Sequence, residues 1–173
     1  MTINLLALAL STIVQAPGPT RVPSIDSVWY RAADEHDLTG DGIPDTLVLQ
    51  ATGKRVDSLL ITLEIRSQAR TLYRDRWLST AYFYYDDLPI DRIQDSVKRD
   101  RVRGIFANFF HPTADYVYAP LDTTRGPAAE DSVWQGMLKD RAVTFYYSRG
   151  AEVLVGIAWS RLLGRFVQVY GCC

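Results

Sequence analysis

Lysine, histidine and cysteine are all scarce in this 173-residue chain, and surplus charge is almost absent. Only Lys54, Lys98 and Lys139 are lysines among 19 basic residues, which 20 acidic ones balance to a net charge of −1. A chain so near neutrality has no global field to draw it onto nucleic acid or an anionic membrane, so neither is an expected partner. The only cysteines, Cys172 and Cys173, are adjacent and cannot join distant parts of the fold, so stability must come from the core. A bond between such neighbours closes a strained eight-membered ring; free thiols and a bond between chains are the other outcomes. No apolar run reaches the roughly 20 residues that a membrane span needs, so no stable membrane anchor is expected. The pattern HExxH, a Gly-x-Ser-x-Gly elbow and a phosphate-binding glycine loop are also missing. With only His36 and His111 in the chain, zinc chemistry has too few imidazoles, and each reads as a surface histidine.

What is present begins with an apolar stretch over residues 5–14, followed by Gln15, Ala16 and a proline-rich segment holding Pro17, Pro19 and Pro23. That layout predicts a signal peptide over 1–16, a flexible leader over 17–25 and an exported domain over 26–173. An exported destination, periplasmic or extracellular, follows. No cysteine lies near the segment, so no N-terminal lipid anchor is expected.

The whole chain is 47% apolar and 23% charged, the composition of one folded globule. Leu47, Leu49 and Ala51 alternate with Thr46, Val48 and Gln50, and Leu59, Ile61, Leu63 and Ile65 alternate with Leu60, Thr62, Glu64 and Arg66. Both runs read as half-buried antiparallel strands. Residues 71–77 return as a strand, and the aromatic run 81–85 favours another. The period then changes. Asp91 and Gln94 suggest a capping pair for a helix over 93–110, with Ile93, Val97, Ile105, Phe106, Phe109 and Phe110 on its inner side. The charged run 98–103 reads as its solvated face. Residues 112–127 read as a loop, 127–138 as a short helix, and 142–147, 152–159 and 166–170 as strands. The expected fold is α+β, a single domain with a mainly antiparallel sheet and one long and one short helix inserted between strand groups. The tetrapeptide Asp-Ser-Val-Trp recurs at Asp26 and Asp131, but its flanks differ and no repeat is implied.

One segment commits to chemistry. In Asp37-Leu38-Thr39-Gly40-Asp41-Gly42-Ile43-Pro44-Asp45, oxygen-bearing side chains occupy positions 1, 3, 5 and 9 and glycine occupies position 6. Calcium takes six to eight oxygen ligands, and alternate residues of a tight loop turn their oxygens toward one centre. Asp37, Thr39, Asp41 and Asp45 are the candidate side-chain ligands and Ile43 the candidate carbonyl ligand for one Ca2+ ion. Crowded carboxylates repel unless a cation neutralises them, which separates this reading from a plain turn. The loop and the strand that follows it resemble the calcium loops of FG-GAP and VCBS repeats over about a dozen residues. That resemblance implies a calcium site. It does not imply a propeller, because there is a single such loop, and Val48 at position 12 removes the bidentate glutamate of an EF-hand.

Rival sites are weaker. Asp86 and Asp87 could pair with Glu64 for acid–base work, which makes a small secreted glycosidase-like hydrolase the alternative function. Tyrosines 82, 84, 85, 116, 118, 146 and 147 suggest either a ligand-binding platform or a sheet core. The expected function is an exported, non-enzymatic calcium-binding module for an unknown envelope or extracellular ligand.

Overall fold

The structure is a computed structural model that describes residues 30–83, 88–110, 117–122 and 130–172. The expected signal peptide, the leader, Tyr84, Tyr85, Asp86, Asp87, His111, Tyr116 and Cys173 lie outside the described residues. Two four-stranded antiparallel sheets carry the fold, each a meander in chain order. The first holds β1 (Tyr30–His36), β2 (Asp45–Thr52), β3 (Leu60–Ser67) and β4 (Arg70–Leu78). The second holds β5 (Tyr118–Pro120), β6 (Val143–Ser148), β7 (Leu154–Ser160) and β8 (Arg165–Cys172). Helix α1 (Asp95–Asn108), of 14 residues, connects the two sheets in the chain, and α2 (Asp131–Lys139), of 9, falls between β5 and β6. The architecture is mixed α+β, with two sheets where one was expected.

The alternation read from the sequence is the alternation that is buried. Leu47, Leu49 and Ala51 on β2 and Leu59, Ile61, Leu63 and Ile65 in and beside β3 are fully buried. They meet Phe145, Tyr147, Val155, Ile157 and Phe166 of the second sheet in one continuous core, so the two inner faces pack on each other. The outer face of the second sheet has its own smaller cluster, where Val133, Trp134 and Met137 of α2 cover Ala158 and Val169.

Three local expectations are corrected. Residues 79–82 form a 3-10 turn rather than a strand, because Tyr82 is drawn into the core. Its hydroxyl accepts from Trp77 Nε1 and donates to the Ser148 carbonyl, both at 3.0 Å. Asp91 does not cap α1; it sits in a separate 3-10 turn, and the cap position is Gln94, whose side chain makes no capping bond. The inner face of α1 is Lys98, Val102 and Phe106, spaced four apart, while Val97 is exposed. Lys98 therefore does not belong to a solvated face. Its ammonium donates to Asp57 Oδ2 at 3.2 Å and to Asp95 Oδ1 at 3.4 Å, and its stem fills core space.

Asp57 is also held by Arg55, through Nε at 3.1 Å and Nη2 at 2.8 Å. The Arg55 bonds lead, and with the Lys98 ammonium they outweigh burial and hold the Asp57 carboxyl down at about 2. A depressed folded-state value stabilises above the ordinary carboxylate range, and that contribution disappears as pH falls toward 2. Urea melts of wild type should therefore lose about 2 kcal/mol between pH 4 and pH 2 that Asp57→Asn does not lose. Lys98→Ala should cost about 3 kcal/mol at neutral pH, since it removes a buried partner of Asp57, leaving that carboxylate to Arg55 alone, and empties the core space the lysine stem fills.

Candidate metal centre

The loop between β1 and β2 is shaped by its own carboxylates. Asp37 Oδ1 accepts the backbone N–H of Gly40 at 2.7 Å and of Asp41 at 3.2 Å, and Oδ2 accepts that of Gly42 at 2.8 Å. Asp41 Oδ1 accepts the N–H of Ile43 at 2.8 Å. Such side-chain bonds to nearby backbone stand in for a turn's own hydrogen bonds. Gly40 and Gly42 have φ of +69° and +86°. A Cβ at Gly42 would meet nothing, so glycine is required there by backbone conformation alone.

Asp45 closes the loop as the first residue of β2 and is wholly buried. Its Oδ2 accepts the N–H groups of Leu38 and Thr39, each at 3.0 Å. Its Oδ1 has no hydrogen-bond partner, and neither has Thr39 Oγ1, whose residue is also buried. Burial raises the Asp45 carboxyl above its ordinary range; the nearby charges of Asp41 and Asp37 add to this, while the two backbone bonds pull the other way. Only three buried side-chain oxygens are unpartnered among the described residues, and two of them belong to this loop. The third, Thr144 Oγ1, is on β6.

The donor set fits a hard cation. Every candidate ligand offers oxygen, and two of the oxygens are buried with their bonding capacity unused. The Ile43 side chain is hydrocarbon, so its carbonyl is the only group it could lend. The carboxylates are not gathered around a centre, however. Among the described residues no three His, Cys, Asp or Glu side chains converge as a ready cage. The reason is local, because Asp37 and Asp41 spend oxygens on the loop's own N–H groups while Asp45 points into the core.

No local pattern points to the residue that reaches the loop from elsewhere. Arg161, in the turn between β7 and β8, donates from Nη2 to the Gly40 carbonyl at 2.6 Å, 121 positions away in the chain. Beside this contact is a small cavity of about 40 Å³, lined by Asp37, Thr39, Arg141, Trp159 and Arg161 among others. That is room for a water molecule or two.

The other candidates disperse. Glu64 is clamped by Arg66 Nε at 2.8 Å and Arg74 Nε at 2.7 Å. Burial would raise its carboxyl, but the two guanidiniums win and hold it below the usual range. His36 is half-buried and stacks on Tyr118, ring centroids 4.1 Å apart. Tyr118 donates to Asp34 Oδ2 at 2.7 Å, and burial with that carboxylate pushes its phenol well up. Tyr147 is buried and donates to Asp75 Oδ2 at 2.5 Å. Tyr82, Tyr118 and Tyr147 are thus core or inter-sheet residues, and do not form an exposed platform. Cys172 is disulfide-bonded. Two wider clefts lie among the described residues. One of about 590 Å³ is lined by Ile105, Phe109, Val117, Tyr146 and Leu154, with Asn108 and Arg101 at its polar positions. Another of about 450 Å³ runs past His36, Tyr118, Pro120, Leu138 and Val143.

Asp45→Asn keeps an oxygen for the Leu38 and Thr39 N–H groups while deleting a buried charge. In chelator it should melt at or above the wild-type temperature, whereas Asp45→Ala, which strands both donors, should lose about 2 kcal/mol. Differential scanning calorimetry of the three proteins is the check. No protein-family model, curated protein or solved structure matches this chain.

Proposed function

We propose that this chain is an exported, non-enzymatic module whose loop 37–45 takes up one calcium ion, and that it binds a ligand or partner in the envelope or outside the cell. The observation that carries the reading is the pair of buried, unpartnered oxygens, Asp45 Oδ1 and Thr39 Oγ1, in the loop whose pattern resembles those of FG-GAP and VCBS repeats. Asp37, Thr39, Asp41 and Asp45 would hold the ion with side-chain oxygens and Ile43 with its carbonyl. When bound, calcium supplies neutralising charge to a crowded set of carboxylates. The chain's own residues do the rest. Gly42 sets the bend, Leu38 and Thr39 orient Asp45, and β2 fixes the closing ligand to the core.

Binding rather than catalysis is favoured by how the polar groups are spent. Glu64 is taken by two arginines, and the clefts are lined mostly by apolar and aromatic side chains, which suit a ligand more than a proton transfer.

Calcium bound to the folded state alone should stabilise by about 2.7 kcal/mol at 100 times Kd. For a chain of this size that is a rise in Tm of roughly 5–10 °C. Magnesium at equal concentration should do much less, and Asp41→Ala should abolish the response. Trp159 lines the cavity beside the loop, so its emission should change with calcium in wild type and not in Trp159→Phe. Identical melting curves in calcium and chelator would refute the metal reading.

Export is tested separately. Mass spectrometry of the protein from its native host should find a mature chain beginning between Pro17 and Arg21. Intact chains retaining residues 1–14 in the soluble cell fraction would refute it.

A further inference from the structure

A cleft of about 450 Å³ opens where the end of β1, the edge strand β5 and the turn from α2 into β6 come together. Its size falls among small-molecule sites, which run roughly from 300 to 1,000 Å³. Tyr118 fixes one wall, with its ring stacked on His36 and its hydroxyl bonded to Asp34. Pro120, Leu121, Leu138, Ala142 and Val143 make most of the remainder apolar.

The polar part of this cleft has one sign. Among the described residues that line it, Arg141 carries the one formal charge and there is no carboxylate. Asp34 is close, but its Oδ2 is taken by the Tyr118 hydroxyl, while Asp37 and Asp140 line the adjoining small cavity instead. Neither the Arg141 guanidinium nor the His36 ring nitrogens have a hydrogen-bond or ion-pair partner among the described residues. The 590 Å³ cleft differs in this respect, because its Arg101 donates to the Tyr82 carbonyl at 3.4 Å and lies over the Phe83 ring.

The backbone at Arg141 is a second, independent observation. Helix α2 ends with the Arg141 N–H bonded to the Leu138 carbonyl at 3.1 Å and the Ala142 N–H to the Met137 carbonyl at 2.9 Å. That closure needs a left-handed residue just past the cap, a place where glycine is without steric cost. Arginine stands there instead, with φ of +52°. A side chain at this position is strained, and its guanidinium makes no bond within the described fold that would offset the strain. What it does gain is a place on the wall of the cleft.

We infer that this cleft binds a small organic carboxylate with an apolar body, its head on Arg141 and its hydrocarbon against Pro120, Leu138 and Val143. The planar guanidinium fork matches a carboxylate with two parallel bonds. A single cation without a second nearby suits a single negative charge, and the His36 imidazole is a further donor on the same wall. The inference rests on the reading of the chain as a ligand-binding module and deepens it by naming the ligand class. It requires no ion in the loop 37–45.

The test is calorimetric titration of the protein, as its host produces it, with octanoate and with 2-naphthoate. Their uncharged counterparts, 1-octanol and 2-naphthalenemethanol, and the bodiless anion acetate are titrated beside them. At least one of the two carboxylates should bind on the order of tenfold or more tighter than its own alcohol, and acetate should not bind. Arg141→Gly should remove that preference while leaving the alcohol's affinity unchanged. Because glycine relieves the left-handed backbone, the same variant should melt about 2–4 °C above wild type, which separates lost binding from lost folding. Ala142→Phe, which fills the cleft without touching the charge, should abolish binding of acids and alcohols alike. No binding of either carboxylate up to millimolar concentration overturns the inference, as does equal binding of acid and alcohol or full binding by either variant; each leaves the module reading standing. Self-association that Ala142→Phe abolishes, seen by ultracentrifugation, would give the cleft to a second copy of the chain and overturn the small-ligand reading. A carboxylate bound with the expected preference but recovered chemically altered would uphold the cleft and overturn the non-enzymatic reading.

Discussion

The register of β2 is the constraint from which the rest of the structure follows. Side chains alternate along a strand, so Asp45 shares its face with Leu47, Leu49 and Ala51, and all four are completely buried. A slip of one residue would bring Asp45 out to water and turn Leu47 and Leu49 out with it. Burying those two leucines is worth about 1.5–3 kcal/mol each. Two backbone N–H groups offset part of the cost of the carboxylate, so the apolar side of the balance wins. A carboxylate is thus held inside by the core, at the point where a loop rich in oxygen ligands ends.

Elsewhere the same tension is resolved within the protein. Lys98 has Asp57, and Asp57 has Arg55 as well. Between the sheets, Tyr147 and Arg149 both donate to Asp75 at 2.5 Å, and Tyr73 meets Tyr147 at 2.8 Å, so that β4 and β6 are joined by satisfied polar groups. Tyr118 and Asp34 close a similar link between β5 and β1. Apart from Thr144 on β6, the loop is the exception to this background. Its carboxylate and its threonine hydroxyl are buried and left short, and a buried oxygen left short costs about 1–3 kcal/mol. That deficit is the observation behind the proposal of an oxygen-seeking cation at this loop.

What could be read from the sequence was what depends on period. The alternation around β2 and β3 survives because one face is core and the other is not. The strands after α2 were found within about two residues of their ends for the same reason. β1 was missed because its sequence, Tyr-Arg-Ala-Ala-Asp-Glu-His, has no run of large apolar side chains; as an edge strand it buries little. β5 is only three residues long and shows no period at all. On the inner side of α1, Phe106 and Phe110 are buried and Ile93, Ile105 and Phe109 pack on the core as expected, but Lys98 was not expected there, because its burial depends on Asp57, 41 positions away. In the loop, residue types and glycine spacing identified the candidate ligands. Which oxygens are buried and unpartnered depends on the core register and on Arg161, and neither is local information.

Arg161 also bears on how the two halves of the molecule answer to each other. Its guanidinium bonds a carbonyl inside the loop, while its backbone directly follows β7, whose Val155 and Ile157 lie in the core shared by both sheets. Any ion that draws Asp37 and Asp41 off the loop's N–H groups must rearrange the segment that carries the Gly40 carbonyl. That change reaches the turn 161–164 through a single bond to a charged donor, a class worth roughly 1.5–3 kcal/mol. The loop is therefore coupled mechanically to the second sheet as well as to β2. A loop attached at both ends to rigid elements and bridged at its middle has few alternative conformations, so any rearrangement of Asp37 and Asp41 is made against the Arg161–Gly40 bond.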